Sequence, residues 1–231
     1  MKIDREHELA QLSKAFKNDS DVAYSDVKIG KETIRLRWFL RHRTGQDGNR
    51  LLFIGMNPGK AVRFEKDTSA RHGDGTTKRS LEFLDCLSSE NNPYSEHLSG
   101  TFSEATIVNL IPVVKGKSQD VPKLWNSFCL DDQHWILNST LDLIEHFGLQ
   151  ADFVIPMWGN YQGNNSWKIG PAQHTTCRIL SLPNHPTILV ARNADGSPRH
   201  IKPLGVASQE PWAGVPLEPF SAFYQRTSSP R

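Results

Sequence analysis

A run of four apolar residues followed by a tight turn constrains the fold of this chain more than any other stretch. Leu51 to Ile54 is uninterrupted by polar residues, which is typical of a short strand that is buried on both faces and parallel to its neighbours. The strand runs into the turn Gly55-Met56-Asn57-Pro58-Gly59. Because ligands of open α/β sheets bind beyond the carboxyl ends of the strands, this turn is a candidate functional site. An ordinary structural turn is the alternative.

Three more apolar runs follow the same plan, and the segments between them have helical periodicity. The runs are Ala105 to Pro112, Asp152 to Asn160 (a strand with the corner after it) and Thr187 to Ala191. Helices are predicted over residues 79–87, 131–147 and 171–182. Strands that alternate with helices predict an α/β fold. We expect a three-layer α/β/α arrangement, in which the central layer is a four-stranded, mainly parallel sheet. A single domain is expected to span residues 1–231.

The two ends of the chain are expected to extend this domain. Residues 1–45 predict a helix and then a β-hairpin, formed by Val22 to Ile29 and Thr33 to Arg41, as an N-terminal addition to the sheet. In the second arm of the hairpin, apolar residues alternate with arginines, the pattern of a half-buried antiparallel strand. Residues 205–231 are rich in proline and aromatic residues, and they predict an extended tail that packs on the domain.

Composition excludes several classes of site. The three cysteines lie far apart, so neither a disulfide framework nor a zinc site is indicated, and we expect them to be small buried residues. The nine histidines show no His-Glu-x-x-His spacing, and we expect neither a metal nor a cofactor. No apolar run approaches the length of a membrane span and no signal-peptide core is present. The expectation is a cytoplasmic monomer.

Positive charge is concentrated on both sides of the Asn57 turn, although the net charge is only +2. Such clusters fit a surface that follows DNA phosphates, and a solvated charged face is the alternative. The candidate DNA-binding residues are Lys60, Arg63, Arg71, Lys78 and, after the fourth strand, Arg192.

Two further residues carry alternatives that the sequence leaves open. The loop over residues 60–77 is long for an α/β connection, which favours a functional role. Phe64, its one large apolar residue, either stacks on a base or anchors the loop to the core. Asn109 ends an otherwise apolar strand, so its amide is either satisfied by backbone groups or faces a ligand, where an amide can pair with the edge of a pyrimidine.

The string Gly-Met-Asn-Pro-Gly after an apolar strand resembles the first active-site motif of the uracil-DNA glycosylase superfamily. It is most similar to the single-strand-selective monofunctional branch and close to the Gly-Ile-Asn-Pro-Gly form of the mismatch-specific branch. In the former, an Asn on the second strand reads the base, which Asn109 resembles. The last loop of that branch carries His-Pro-Ser-Pro-Arg; Ser197-Pro198-Arg199 matches part of it, but His200 follows the string instead of leading it.

Residues 34–204 also resemble an uncharacterised bacterial and phage family known only as a domain of unknown function. Its motifs occur here in the same order, which implies membership but little about activity. The matching strings are Met56-Asn57-Pro58-Gly59, where the family has Leu-Asn-Pro-Ser-Thr, then Asp74 to Arg79, Val108-Asn109-Leu110, Trp158-Gly159 and Gly196 to His200.

These resemblances imply a monofunctional DNA glycosylase that removes an unusual or modified pyrimidine and leaves an abasic site. The base would be flipped or taken from single-stranded DNA, Asn57 would hold the attacking water, and Arg199 or His200 would stabilise the leaving base. Residues expected to contact the substrate are Gly55, Met56, Pro58, Gly59, Phe64, Asn109, Trp158 and Asn160, and Phe64 or Trp158 would stack on the base.

The target base and the chemistry leave alternatives. The long polar loop favours a base larger than uracil, so that a phage-type hypermodified pyrimidine and a setting in anti-phage defence are expected. A Schiff base formed by Lys60 is the rival chemistry. A module that binds modified bases or nucleotides without catalysis is the rival class of function.

Overall fold

A seven-stranded mixed sheet with helices on both faces is the frame of the computed structural model, which describes residues 3–29, 31–66, 73–90, 92–115, 120–160, 167–202 and 210–220. The α/β class is therefore confirmed. The helices are α1 (Arg5–Lys17), α2 (Gly75–Leu87), α3 (Val121–Trp125), α4 (Leu130–Gly148) and α5 (Ile169–Leu180). The strands are β1 (Val22–Ile29), β2 (Glu32–Arg43), β3 (Asn49–Gly55), β4 (Phe102–Asn109), β5 (Phe153–Pro156), β6 (Thr187–Val190) and β7 (Glu218–Pro219).

The strand order is β1-β2-β4-β3-β5-β6-β7. The four inner strands β4, β3, β5 and β6 pair in parallel with one another, whereas β1, β2 and β7 join antiparallel. The carboxyl ends of the four parallel strands consequently lie at one edge of the sheet. The register there places Gly55, the last residue of β3, opposite Asn109, the last residue of β4.

The prediction of a four-stranded sheet with an added hairpin is wrong in extent. β2 pairs antiparallel with β4, with Leu40 opposite Ile107, so the hairpin is part of the main sheet. The three consecutive apolar residues Trp38, Phe39 and Leu40 are all buried, because this part of β2 is covered on both faces. The alternating pattern of the whole arm predicts a strand that is buried on one face only, and this short apolar run departs from that pattern.

The C-terminal segment also joins the sheet. β7 pairs antiparallel with β6, and a short 3-10 helix (Pro211–Gly214) precedes it. Trp212 and Phe220 are buried, so residues 210–220 pack on the domain. The remaining parts of the predicted tail, residues 205–209 and 221–231, lie outside the described residues.

The two faces of the sheet have separate apolar cores. Leu52 and Ile54 of β3 pack in the core under α1, α4 and α5, while Leu51 and Phe53 pack in the core under α2 and the 3-10 helix. Side chains of a strand alternate between faces, and both faces of β3 are covered. The prediction that this strand is buried on both sides is confirmed.

The expectation for the cysteines is wrong. Cys129 and Cys177 are exposed and Cys86 is half-buried; all three are free thiols. Cys129 immediately precedes α4, and Cys177 lies on the exposed part of α5. Within the described ranges no group of three or more His, Cys, Asp or Glu side chains is placed to hold a metal ion. No helix in those ranges is long and apolar enough to cross a membrane.

We expect the substitution Phe83→Ala to lower the free energy of unfolding by about 3–5 kcal/mol, the usual loss for a buried phenylalanine. Phe83 of α2 is fully buried, and its ring makes edge contacts with Trp212 at 4.7 Å and Tyr94 at 5.1 Å between centroids. Urea unfolding measures the change. The control Leu180→Ala, at an exposed position on α5, should stay within about 0.5 kcal/mol of wild type. Equal losses in both variants would contradict this account of the core.

Candidate active site

The corners after β3 and β4 are fixed to each other beyond the ends of the strands. The N–H of Leu110 donates to the carbonyl of Gly55 at 2.9 Å, and the N–H of Ile111 donates to the carbonyl of Met56 at 3.0 Å. The N–H of Lys115 then donates to the carbonyl of Pro58 at 3.2 Å. The Asn57 turn is thus held by backbone hydrogen bonds along its length, and Pro58 is buried.

The side chain of Asn57 is held in one orientation. Its Nδ2 donates to the carbonyls of Pro58 at 3.1 Å and Lys115 at 3.2 Å. A carbonyl oxygen can only accept a hydrogen bond, so the amide group must point its nitrogen, and not its oxygen, at these two carbonyls. The Oδ1 atom makes no hydrogen bond within the described part of the chain, so it is available as an acceptor for a water molecule or a ligand.

Asn109 lies beside this turn with an amide that is not satisfied. The residue is only 3% exposed, and its Nδ2 has no hydrogen-bond partner among the described residues. A Cβ placed on Gly55 would lie 2.5 Å from the Oδ1 of Asn109, so the absence of a side chain at Gly55 makes room for the amide. Asn109 lies two residues after Ile107, so both side chains are on the same face of β4; because Ile107 packs in the α2 core, Asn109 faces the α2 side of the sheet.

Asp74 connects the start of α2 to the Asn57 turn. Its Oδ1 accepts from the backbone N–H groups of Thr76 at 2.9 Å and Thr77 at 3.0 Å, and the hydroxyl of Thr77 accepts from the N–H of Asp74. This capping box explains why the helix begins there. A Cβ placed on Gly59 would overlap the Oδ2 of Asp74. The glycine therefore lets this carboxylate oxygen approach the turn.

Two residues of the hairpin hold the next part of the loop. The hydroxyl of Tyr24 donates to the carbonyl of Ala61 at 2.7 Å, and Nη1 of Arg37 donates to the same oxygen at 2.9 Å. Arg37 is 3% exposed, and burial lowers the pKa of its guanidinium, an effect that Asp74 and Tyr24 oppose. The alternating pattern predicts a solvent-facing Arg37, which is wrong: the pairing of β2 is irregular here, with an isolated bridge between Leu36 and Val113.

Lys168, which sequence reasoning missed, is buried next to the corner after β5. Its side chain is 2% exposed, and its Nζ donates to the carbonyl of Trp158 at 3.1 Å. Burial lowers the pKa of this amine to about 8, against a smaller opposing effect of Asp195. No carboxylate oxygen of the described residues lies within the 4.0 Å that would form an ion pair with Lys168. A lysine at the end of a polar loop gives no sequence signal for such burial.

His200 follows β6, and the charges of both Asp74 and Lys168 act on it. Its Nδ1 is 3.0 Å from the N–H nitrogen of Lys202 and 2.9 Å from the carbonyl oxygen of the same residue. Burial lowers the pKa of the imidazole; the bond to Lys202 and the charge of Asp74 oppose this, and the charges of Lys168 and Lys202 add to it. The imidazole is therefore within electrostatic reach of Asp74 and Lys168. The structure brings the loops after β3, β5 and β6 together at this point.

The side chain of Arg199, unlike that of His200, is bonded to the C-terminal segment and to Asn193. Its Nε donates to the carbonyl of Trp212 at 2.8 Å and its Nη1 donates to Oδ1 of Asn193 at 3.3 Å. These bonds tie the loop after β6 to the C-terminal segment. Arg199 thus acts as an anchor of the loop in this structure, and the candidate for contact with a leaving base is His200.

Both residues expected to stack on a base are buried. Phe64 is 8% exposed and lies in the α2 core, with its ring 5.4 Å from the ring of His42. Phe64 therefore anchors the loop, which was the second of its two alternatives. Trp158 is 1% exposed and lies in the core under α4 and α5. The stacking role predicted for Trp158 is corrected, because its ring has no free face for a base.

The predicted DNA-binding residues differ in their surroundings. Lys60 and Asn160 are exposed beside the site. Arg63 forms an ion pair with Glu65 at 2.9 Å, and Lys78 lies 3.9 Å from Glu82 on α2. Arg192, in the loop after β6, pairs with Glu218 of β7. Arg71 lies outside the described residues.

A cavity of about 270 Å³ lies between α4 and α5, away from these groups. Leu110 lines it, and the side chain of Leu110 packs in the core under α4 and α5. Asn109 faces the opposite side of the sheet. The candidate active site is therefore the edge formed by Asn57, Asn109, Asp74, Lys168 and His200, and this cavity is separate from it.

Comparison with known proteins identifies a family but not an activity. Residues 37–204 match the family described as "Protein of unknown function (DUF1643)", so the chain belongs to that family. No curated protein and no solved structure matches the chain.

We expect Lys168→Met to stabilise the protein at pH 7 by up to about 3 kcal/mol, because the folded state holds a buried charge that an apolar side chain removes. The lysine titrates near its ordinary pKa of 10.5 when unfolded and at about 8 when folded. Between these values the unfolded chain binds the extra proton, so wild-type stability rises with pH and the advantage of the variant disappears toward pH 10.5. Urea unfolding at pH 7 and pH 10 measures both values.

The matched control is Lys123→Met on α3, where the side chain is exposed. It should change the free energy of unfolding by less than about 0.5 kcal/mol at both pH values. A Lys168→Met protein that is less stable than wild type at pH 7 would contradict the buried-charge account.

Proposed function

We propose that this member of the DUF1643 family is a DNA glycosylase that hydrolyses the N-glycosidic bond of an unusual or modified pyrimidine and leaves an abasic site. The observation that carries the proposal is the buried, unpaired amide of Asn109 beside the Asn57 turn. A buried amide without a partner costs about 1–3 kcal/mol. A ligand that supplies the missing acceptor offsets this cost, and the carbonyl oxygen of a pyrimidine is such an acceptor.

The glycosidic bond breaks through a sugar with oxocarbenium character while negative charge gathers on the departing base, by analogy with glycoside hydrolysis. Asn57 supports the sugar side of this reaction. Its Nδ2 is engaged by two carbonyls, which leaves Oδ1 to accept a hydrogen bond from the attacking water. An amide is a very weak base, so its contribution is the position of the water.

His200 and Lys168 support the side of the leaving base. If Nδ1 of His200 accepts the N–H of Lys202, the neutral imidazole carries its proton on Nε2 and can donate it in a hydrogen bond. A preorganised donor of this type contributes about 10²–10³-fold to the rate. The buried ammonium of Lys168 adds positive potential in a region that contains little water, where it acts most strongly on a developing anion.

The long loop after the Asn57 turn, together with the family resemblance, favours a bulky modified pyrimidine and a role in anti-phage defence. The exposed lysines beside the site favour DNA as the partner. A non-catalytic base-binding module is the second candidate, because the amide of Asn57 is too weak a base to deprotonate water by itself. Lys60, the rival Schiff-base nucleophile, is exposed and makes no hydrogen bond or ion pair with another described residue.

The test is base release from single-stranded and duplex oligonucleotides that each contain one uracil, hydroxymethylated pyrimidine or glycosylated hydroxymethylpyrimidine. Alkali converts an abasic site into a strand break, which a denaturing gel reports. Strand breaks at the modified position, absent without protein, support the glycosylase. Shifted but intact DNA on native gels would support the binding module instead.

We expect Asn109→Leu to lower kcat/KM for base release by about tenfold to 100-fold, the effect of one lost hydrogen bond inside the site. Leucine has nearly the same shape as asparagine and removes an unpaired buried amide, so the melting temperature should not fall. Asn126→Leu, at an exposed position after α3, is the control and should keep wild-type activity. Retained activity in Asn109→Leu would refute base reading by this residue.

We expect the double substitution Lys60→Ala and Lys78→Ala to weaken DNA binding across all sequences. If both lysines contact phosphates, the slope of log affinity against log salt concentration should flatten by about one unit per lost contact. Fluorescence anisotropy over a salt series measures the slope. The control is Lys14→Ala and Lys17→Ala on α1, which should leave it unchanged; an unchanged slope in the Lys60 and Lys78 variant would assign both lysines to the solvated surface.

A further inference from the structure

We propose that Asp74 is the general base of this site, and that its Oδ2 accepts a proton from the water that Asn57 positions. The inference rests on the proposed function and supplies the base that Asn57 cannot be. It assigns a second role to a residue that local sequence rules explain completely as the N-cap of α2.

The two carboxylate oxygens of Asp74 have different surroundings. Oδ1 accepts both capping hydrogen bonds, from Thr76 and Thr77. Oδ2 makes no hydrogen bond within the described part of the chain, although capping holds it in place. One oxygen thus fixes the side chain and leaves the other as a preorganised acceptor.

Oδ2 is directed at the Asn57 turn. It lies so close to Gly59 that a Cβ on this residue would overlap it. Gly59 is two residues from Asn57 in the same turn. The glycine of this chain therefore opens the turn to the carboxylate. A side chain at residue 59 would displace Oδ2 or occupy the space between it and the turn.

The groups around Asp74 suit a carboxylate that must be charged before the reaction and neutral after it. Positive charge reaches it from Arg37 on one side, while Asp74 in turn acts on His200 on the other. No ion pair within 4.0 Å binds the carboxylate among the described residues. The capping hydrogen bonds thus hold the carboxylate in place without an ion pair from a described residue.

The step balances without a co-reactant. The oxygen of water bonds to C1′ of the sugar as the bond from C1′ to the base nitrogen breaks, and the electron pair of that bond leaves with the base. Asp74 takes one proton of the water, and the other proton stays on the new C1′ hydroxyl. The base anion gains its proton from solvent, and Asp74 returns its proton to solvent.

The decisive variant is Asp74→Asn, because asparagine caps a helix as well as aspartate does. It should fold with an unchanged melting temperature and bind DNA normally, while the single-turnover rate of base release falls by about 10²–10⁴-fold, the usual contribution of a general base. Asp4→Asn, at the N-cap of α1, is the matched control and should keep full activity.

Gly59→Ala provides a second approach that leaves the carboxylate in the chain. The added methyl group displaces Oδ2 from the turn, so the rate should fall while DNA affinity changes little. The assay uses the full chain and the oligonucleotide on which the wild type is most active.

The possible results separate the two proposals. Full activity of Asp74→Asn beside an active wild type would overturn the role of Asp74 and leave the glycosylase in place. A wild-type protein that releases no base from any of the oligonucleotides overturns the proposed function, and the general base with it. Loss of activity in proportion to lost melting temperature would make Asp74 a capping residue alone.

Discussion

Parallel pairing of β3 on both sides is the constraint on which the rest of the structure depends. Because β3 pairs with β4 and with β5, its side chains are buried on both faces and its carboxyl end lies between those of its neighbours. Backbone bonds then continue past Gly55 and Met56 to the chain after β4. The first residues of the turn after β3 are therefore fixed by backbone hydrogen bonds. Polar groups from the loops after β4, β5 and β6 can then lie near it.

Close packing against glycines gives the site its form. At Gly55 and Gly59 the missing side chain leaves space that a polar group occupies, the amide of Asn109 in one case and the carboxylate of Asp74 in the other. The first contact is a consequence of strand register, since Gly55 lies directly opposite Asn109. The second depends on a helix that begins after a long loop. The turn from Gly55 to Gly59 is thus contacted by one side chain from the sheet, Asn109, and by one from the start of a helix, Asp74.

The sequence was sufficient for the parallel strands, the position of the turn and the burial of Asn109, because each of these depends on local periodicity or on the common direction of the strands. It was not sufficient for the hairpin, where the short apolar run of Trp38 to Leu40 marks a strand that is covered on both faces. Nor did it predict burial of Arg37 and Lys168. A buried cation is decided by what the rest of the chain places around it, and neither periodicity nor spacing reports this. The burial of Phe64 also depends on packing between elements, which a loop pattern does not encode.

The two buried cations, Arg37 and Lys168, lie at the same edge of the sheet as the carboxylate of Asp74 without forming an ion pair with it. Lys168 is held by a neutral carbonyl and Arg37 by the carbonyl of Ala61, so neither consumes the carboxylate of Asp74 in an ion pair. Their charges act on the site through space in a region of low dielectric, where such effects are larger than in water. A direct ion pair would bind the carboxylate and neutralise the field in one step. Separation of the charges instead leaves the Oδ2 atom of Asp74 without an ion-pair partner among the described residues, and the charge of Lys168 acts on His200. The stability that burial of these cations costs is therefore consistent with a site that is organised for charge development rather than for maximum stability.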